Sequence, residues 1–229
     1  MKPTRIAVLG VYRSGSTAVA GALHHLGVDM GPPFFEGFYE SAWLSEQLRR
    51  WWDEPRLREK VGQAKRVRVL ARWIQEREQG GARWVGMKHP LLSLCGDDLV
   101  QAWGPETRFI RCCRPLEDSI DSLKRLGRKV DGAFLQGKLM AALDRFFAGR
   151  EYLAIEFADL MANPRREVER LIEYLQIAAS PEQVEAAIRF IEPGRKSKVE
   201  TEQGEKIGAG KEPGGAAVWA AIRKAITGR

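Results

Sequence analysis

The chain has 229 residues, of which 44% are hydrophobic and 29% are charged, so it is long and apolar enough for one globular domain with a substantial core. No apolar run approaches the ~20 residues that span a bilayer, and the N-terminal residues are not typical of a signal peptide, so we expect a cytoplasmic location and no stable membrane insertion. The formal charge of +7 is compatible with an anionic ligand such as nucleic acid, a membrane surface or a small phosphate compound.

The first predicted strand, residues 6–9, runs into the sequence GVYRSGST. Gly10 and Gly15 permit a tight turn around an anion, and the N–H groups that open the next helix point toward it. The spacing is that of a phosphate-binding P-loop, but Ser16 stands where the ATP- and GTP-binding version has lysine. Arg13 offers instead a planar cation that binds two oxygens of a phosphate or sulfate without a metal. The loop therefore predicts an anion site and disfavours an ATP–magnesium enzyme.

The next stretch, FFEGFYE, contains two candidate general bases, Glu36 and Glu40. Its aromatic residues predict a raised carboxyl pKa through desolvation, which suits a base. Residues 40–79 are expected to form helical segments that cover an acceptor pocket. The tryptophans there, such as Trp51 and Trp73, are more typical of a core than of a ligand site.

Apolar runs predict three further strands, at residues 84–87, 109–113 and 152–155. Because helical patterns separate the strands, the expected fold is α/β, a three-layer sandwich with a central parallel sheet and a P-loop-like loop. Ligands of such sheets bind at the carboxyl ends of the strands. Lys88 and His89 follow the second strand and Arg114 follows the third, so these residues are predicted to converge with the loop on one cleft.

Two helices have clear sequence signals. The first carries an apolar stripe of Leu135, Leu139, Leu143 and Phe146. The second is expected to begin at Asn163 as the N-cap, with Pro164 in the first helical position. Residues 192–215 have no apolar period and are rich in Gly, Lys and Glu, which predicts a mobile loop within a single domain over residues 1–229.

The cysteines indicate neither disulfides nor a metal site. Cys95, Cys112 and Cys113 are an odd number, and the two neighbours point to opposite faces of a strand. We interpret all three as reduced core thiols.

The loop and the helix after it resemble the sulfotransferases that bind 3′-phosphoadenosine 5′-phosphosulfate (PAPS). The family pattern is a basic residue followed by Ser-Gly-Thr-Thr, and this chain departs from it by one Ser-for-Thr exchange. The sequence GFYES resembles a segment of bacterial members, and YLAIEFADLMANP resembles a structural segment of the family. The resemblance implies that the 5′-phosphosulfate is held by Arg13, Ser14, Gly15, Ser16 and Thr17.

The resemblance also implies a site for the 3′-phosphate of PAPS. Family members hold it with an arginine at a strand end and a serine eight residues later, a spacing that Arg114 and Ser122 have. Pro115 follows Arg114 directly, whereas the family motif is Arg-x-Pro. This departure leaves Arg111 and Ser119 as a competing pair, but Arg111 would fall inside the strand, so we prefer Arg114 and Ser122.

For the transfer step, the resemblance implies that Lys88 stabilises oxygens of the sulfuryl group. The base is less sharply defined. His89 is similar to the histidine of a Lys-x-His segment in the family, but the intervening residue is missing, and a shift of one residue turns a side chain to the opposite face of a strand. We therefore favour Glu40 over His89, with Glu36 as a further alternative.

The expected function is in-line transfer of a sulfuryl group from PAPS to a hydroxyl or amine of a small-molecule, glycan or lipid acceptor. One alternative is a P-loop kinase-like enzyme that has lost its lysine. The other is a non-enzymatic module that binds anions or nucleic acid, but the chain lacks the interleaved aromatic and basic residues of single-strand binders, so no nucleic-acid partner is expected. The acceptor and the oligomeric state stay open.

Overall fold

The computed structural model describes residues 3–34, 38–53, 56–126 and 131–191. The chain divides into two units, Met1–Pro193 and Gly194–Arg229, and the second lies outside the described residues. The single domain and the mobile loop over residues 192–215 therefore stay predictions. Glu36 also lies outside the described residues.

The described elements follow one another as strands alternating with helices. In chain order they are β1 (Thr4–Leu9), α1 (Ser16–His25), α2 (Ala42–Trp51), β2 (Trp52–Asp53), β3 (Arg58–Glu59), α3 (Gln63–Gln79), β4 (Trp84–Lys88), α4 (Gly96–Trp103), β5 (Arg108–Cys113), α5 (Leu116–Arg125), α6 (Gly132–Phe147), β6 (Leu153–Glu156), α7 (Phe157–Ala162), α8 (Pro164–Leu175) and α9 (Pro181–Ile191). A 3₁₀ turn, Pro90–Leu94, joins β4 to α4.

The main sheet confirms the predicted parallel topology. Its four strands have the order β4-β1-β5-β6, and every neighbouring pair is parallel. After β1 the chain passes to β4 on one side and then crosses to β5 on the other, so the strand order reverses around β1. In sheets of this type the ligand crevice opens at the carboxyl ends of the strands at such a reversal. The loop that follows β1 and the residues that follow β5 lie at this point.

The sheet is covered on both faces, as predicted. Ala7 and Leu9 of β1 belong to a buried cluster with residues of α3, α4 and α6. Ile6 and Val8, which alternate with them, belong to a second cluster with residues of α1, α8 and α9. Because successive strand residues point to opposite faces, a continuous apolar strand builds both halves of the core.

Several local predictions are also confirmed. Helix α8 has Asn163 at its N-cap and Pro164 in its first turn, where the missing N–H of proline costs nothing. Residues 40–79 contain two helical segments, α2 and α3, which the antiparallel pair β2–β3 separates. Trp51 and Trp73 are buried core residues. In the described part of the chain, no helix combines the length and the apolar character needed to cross a membrane.

The cysteines agree with the interpretation as core thiols. All three are free, and Cys95 and Cys112 are buried. Burial raises the pKa of Cys95 to about 12 and that of Cys113 to about 11, and it raises the pKa of Cys112 as well. The thiols are therefore protonated and unreactive at neutral pH.

We expect Leu139→Ala to lower the free energy of unfolding by about 2–5 kcal/mol, because it leaves a cavity in the core. Leu139 is 0% exposed on α6, whereas Phe134 on the same helix is 38% exposed. Phe134→Ala is therefore the matched control, with an expected change within about 0.5 kcal/mol. Urea unfolding of both variants checks the prediction, and equal losses of stability would contradict the placement of α6.

Candidate functional site

The loop between β1 and α1 has a backbone that only a glycine permits at its last position. Gly15, the residue before α1, has φ 88°, in the left-handed region. A Cβ atom there would also lie 2.7 Å from Cδ2 of Phe157, the first residue of α7. Arg13 has φ 64°, which is uncommon for a residue with a side chain. The loop is thus tightly turned, and Gly15 is required by both conformation and space.

The carbonyl groups of this loop are each held by a hydrogen-bond donor. Four consecutive carbonyl oxygens each accept a hydrogen bond: Gly10 from Ser93 Oγ (3.1 Å), Val11 from Ser14 N (3.3 Å), Tyr12 from Gln136 Nε2 (2.7 Å) and Arg13 from Arg114 Nη1 (3.0 Å). The first N–H groups of a helix have no intrahelical acceptor. With the carbonyls occupied, these N–H groups of α1 present positive potential, which suits an anion.

Beside the loop, Arg13, Arg114 and Ser122 form one cluster. Arg13 Nε donates to Ser122 Oγ at 3.0 Å, while Arg114 binds the carbonyl of Arg13. The guanidinium of Arg114 lies over the ring of Phe157, 4.4 Å from its centre. Its Nε is buried and has no hydrogen-bond acceptor in the described part of the chain. The sequence-predicted 5′ and 3′ subsites are therefore contiguous.

The electrostatics of this cluster favour an incoming anion. Burial lowers the pKa of Arg114, and the like charges of Arg13 and Arg125 add to that effect, whereas Asp118 opposes it. An arginine stays charged in spite of such shifts. Arg13 and Arg114 lie together, and the buried Nε of Arg114 has no acceptor among the described residues. A ligand with negatively charged oxygens would therefore stabilise both guanidinium groups.

The competing pair faces elsewhere. Arg111 forms an ion pair with Asp144 on α6, and its guanidinium lies 5.5 Å from the centre of the Phe147 ring. Ser119 is fully buried and donates to the carbonyl of Leu116 at 2.7 Å. Neither side chain contacts the loop through these interactions. The geometry therefore favours Arg114 and Ser122 over Arg111 and Ser119.

On the other side of the loop, the buried ammonium of Lys88 joins three segments. Its Nζ lies 3.0 Å from Thr17 Oγ1, 2.6 Å from Glu40 Oε1 and 3.4 Å from the carbonyl oxygen of Phe38. Lys88 is only 3% exposed and Glu40 15%, so the pair is largely shielded from water. The predicted residues Lys88, Glu40 and Thr17 are thus brought together.

His89 lies beside Glu40 as well. It follows β4 as the N-cap of the 3₁₀ turn, and its Nδ1 accepts from the N–H of Leu91 at 3.1 Å. Its Nε2 lies 3.7 Å from Glu40 Oε2. The change of direction at the turn brings His89 to the same carboxylate as Lys88. The two candidate bases are therefore neighbours.

The pKa of Glu40 is lowered, so the predicted increase is wrong. Burial raises this pKa, as the sequence argument assumed, but the charge of Lys88, the proximity of His89, the hydrogen bond from Lys88 and the charge of Arg49 together outweigh it. Glu40 is therefore ionised at neutral pH and serves as the counter-ion of a buried lysine.

Sequence reasoning missed three residues that support the loop: Ser93, Gln136 and Phe157. Ser93 and Phe157 carry no local signal, because each contacts the loop from an element distant in the sequence. Gln136 does carry one, since it lies three residues before Leu139 and therefore on the apolar stripe of α6. A polar residue on such a stripe indicates a specific buried partner.

A polar cleft of about 420 Å³ lies elsewhere, lined by residues of α3, α4 and α6. Its charged walls already pair with one another, as in Arg66 with Asp98 and Arg150 with Asp97. It contains neither Lys88 nor Arg114. Within the described ranges, no group of three or more His, Cys, Asp and Glu side chains is placed to hold a metal ion.

The family comparison matches most of the chain. Residues 3–181 fit the model of a family described as the sulfotransferase family. A comparison with curated proteins gives no match.

Solved structures with the same fold include two sulfotransferases and a sugar kinase. The sulfotransferase domain of the Synechococcus olefin synthase has a TM-score of 0.56 and 17% identity over 93% of this chain and 90% of that chain. Sulfotransferase STF1 of Mycobacterium tuberculosis has a TM-score of 0.53 and 17% identity over 82% of this chain and 71% of that chain. An unliganded sugar kinase from a Janibacter species has a TM-score of 0.50 and 19% identity over 77% of this chain and 96% of that chain. At these identities the similarity shows the fold.

We expect Gly15→Ala to lower the free energy of unfolding by at least about 1 kcal/mol, because alanine is strained at this φ and its Cβ meets Phe157. Gly137→Ala on α6 is the matched control, since nothing lies within 4 Å of its Cβ position. There the substitution is expected to stabilise the helix by about 0.5–1 kcal/mol. Urea unfolding measures both changes, and changes of the same sign would be inconsistent with the described loop.

We expect the contribution of Glu40 to stability to depend on pH. A pKa lowered below the ordinary value of 4.5 means that the stabilisation is complete above that value and is lost as the pH falls through the lowered pKa. Wild type is therefore expected to be more stable than Glu40→Gln at pH 7, and the difference should shrink toward pH 3. Urea unfolding at several pH values measures it. Glu46→Gln is the control, because Glu46 pairs with Arg50 on the exposed surface of α2. A difference that grows in acid would overturn this account of Glu40.

Proposed function

Because the chain belongs to the sulfotransferase family and is a sulfotransferase, we propose that its donor is PAPS and that its acceptor is a hydroxyl or amine of a small molecule, glycan or lipid. The observation that carries the choice of donor is the Arg13–Arg114–Ser122 cluster. It offers a second anion site contiguous with the loop. PAPS has a 3′-phosphate to occupy such a site, and ATP has none.

The described residues fit this donor. Gly15 lets the loop pack directly against the ring of Phe157, where a Cβ atom would lie 2.7 Å from Cδ2. The hydrogen-bonded carbonyls leave N–H groups for the 5′-phosphosulfate, and among the described residues the buried Nε of Arg114 has no acceptor. Arg13, Ser14, Gly15, Ser16 and Thr17 are assigned to the 5′ end of the donor, and Arg114 with Ser122 to the 3′-phosphate.

When bound, PAPS supplies an activated sulfuryl group whose leaving group is adenosine 3′,5′-bisphosphate. The protein has to hold the reactants in line and neutralise the charge that develops on the oxygens. Lys88 is placed for the second task, because its ammonium already bonds the hydroxyl of Thr17 at the start of α1. Arg13 adds a second cation within the loop.

Glu40 is the proposed base, and Lys88 controls its strength. Alone with Lys88, the carboxylate has a lowered pKa and is a weak base. As Lys88 shares its charge with donor oxygens, its hold on Glu40 weakens, and burial, the largest influence on this carboxyl, then raises the pKa. Glu40 is then able to take the proton of the acceptor. His89, whose Nε2 lies 3.7 Å from Glu40 Oε2, is the alternative base.

The kinase-like alternative has less support. A sugar kinase shares the fold, but fold does not determine function, and Ser16 occupies the position of the loop lysine. We propose no nucleic-acid partner. We do propose the cytoplasmic location that the sequence predicts.

Thermal unfolding in the presence of ligands tests the donor. Adenosine 3′,5′-bisphosphate at 100 times its dissociation constant is expected to stabilise the protein by about 2.7 kcal/mol. ATP with magnesium, and a single-stranded oligonucleotide, are expected to have much smaller effects at equal concentration. The full-length chain is used. No stabilisation by the bisphosphate, or a larger effect of ATP with magnesium, would refute the proposal.

Two arginine variants make the same experiment specific. Arg114→Ala is expected to weaken the stabilisation by the bisphosphate, because it removes a proposed 3′-phosphate ligand. Arg111→Ala is the control, since its partner is Asp144 on α6. The reverse order of effects would show that Arg111 and Ser119 are the correct pair.

A further inference from the structure

The side-chain amide of Gln136 forms two hydrogen bonds with a single residue of the loop. Its Oε1 accepts from the N–H of Tyr12 at 3.0 Å, and its Nε2 donates to the carbonyl of Tyr12 at 2.7 Å. Gln136 is 0% exposed. The amide thus pairs with both backbone polar groups of Tyr12, as a residue of a neighbouring strand would.

The burial of Gln136 is costly unless these bonds are made. It lies on the apolar stripe of α6, next to Leu135 and one turn before Leu139. A buried amide without partners is strongly unfavourable, and an apolar side chain would serve the packing of this stripe better. The amide is therefore explained by its partner on the loop.

The residue that Gln136 holds directly precedes the strained part of the loop. Arg13, with φ 64°, turns the chain toward the start of α1. A conformation of this kind persists only when the surrounding structure enforces it. Gln136 fixes Tyr12, the residue before Arg13, and Arg114 binds the carbonyl of Arg13. If Tyr12 were released, its carbonyl would be able to rotate toward the anion.

We propose that Gln136 is a positioning residue for the 5′-phosphosulfate of the donor, acting through Tyr12 to keep the N–H groups of the loop facing the anion. This inference rests on the proposed function. It predicts that the loss of Gln136 weakens ligands with a 5′-phosphate more than ligands with a 3′-phosphate alone, because Gln136 bonds the loop directly at Tyr12 and is linked to Arg114 and Ser122 only through Arg13.

The test compares two nucleotides on the full-length chain by isothermal titration calorimetry. Adenosine 3′,5′-bisphosphate occupies both subsites, and adenosine 3′-phosphate, used at the higher concentrations it needs, occupies only one. The variants are Gln136→Met, which removes both hydrogen bonds, and Gln136→Glu, which keeps an acceptor for the Tyr12 N–H but loses the donor and adds a charge behind the loop. Leu139→Ala, on the same helix, is the control for a general loss of stability.

We compare the affinity for adenosine 3′,5′-bisphosphate, divided by the affinity for adenosine 3′-phosphate, between wild type and variants. This ratio is expected to fall by about tenfold or more in both Gln136 variants and to stay unchanged in Leu139→Ala. Should Gln136→Met fail to fold, the nearly isosteric Gln136→Glu decides. An equal weakening of both nucleotides, or an unchanged ratio, would overturn the inference. If the wild-type protein binds neither nucleotide, the proposed donor is wrong, which is a different result.

Discussion

The proposed anion site depends on the hydrogen bonds that hold the carbonyl groups from Gly10 to Arg13. A peptide loop attracts an anion only if its N–H groups point inward, and each carbonyl that turns inward adds a negative dipole. Here the donors that hold three of the four carbonyls come from the 3₁₀ turn after β4, from α6 and from the end of β5, which are 83, 124 and 101 positions away. The packing of the whole sheet and its helices is therefore a condition for the loop.

This constraint explains how the site works without a loop lysine. In the ATP-binding version, a lysine and a metal ion bring the positive charge to the phosphates. Here the charge is divided between two places on either side of the loop. Arg13 and Arg114 lie together on the side of β5, where Phe157 supports both Gly15 and Arg114. Lys88 lies on the side of β4, against Thr17.

The parts that were predictable from the sequence are those governed by local patterns. Apolar runs predicted the four strands of the sheet, and Lys88 at the end of β4 and Arg114 after β5 could be placed at one edge because parallel strands end at the same edge. Ser93 and Phe157 were missed because their partners are distant in sequence. Gln136 carried a signal, as a polar residue on the apolar stripe of α6, but the signal did not identify its distant partner, Tyr12. The pKa of Glu40 was misjudged for the same reason, since its aromatic neighbours are local and the dominant cation, Lys88, is 48 positions away.

The position of Lys88 links the two halves of the proposed reaction. One ammonium bonds a hydroxyl at the donor loop and the carboxylate on the acceptor side, and at 3% exposure little water is available to replace either partner. Any stabilisation that Lys88 provides to donor oxygens therefore weakens its stabilisation of the Glu40 carboxylate. Burial opposes the ionisation of this carboxyl group. In the proposed reaction, the basicity of Glu40 rises with occupation of the donor site, so the proposed proton acceptor is strongest when a sulfuryl group is in place to be transferred. A base on an exposed loop would lack this coupling, because solvent would screen it from the lysine.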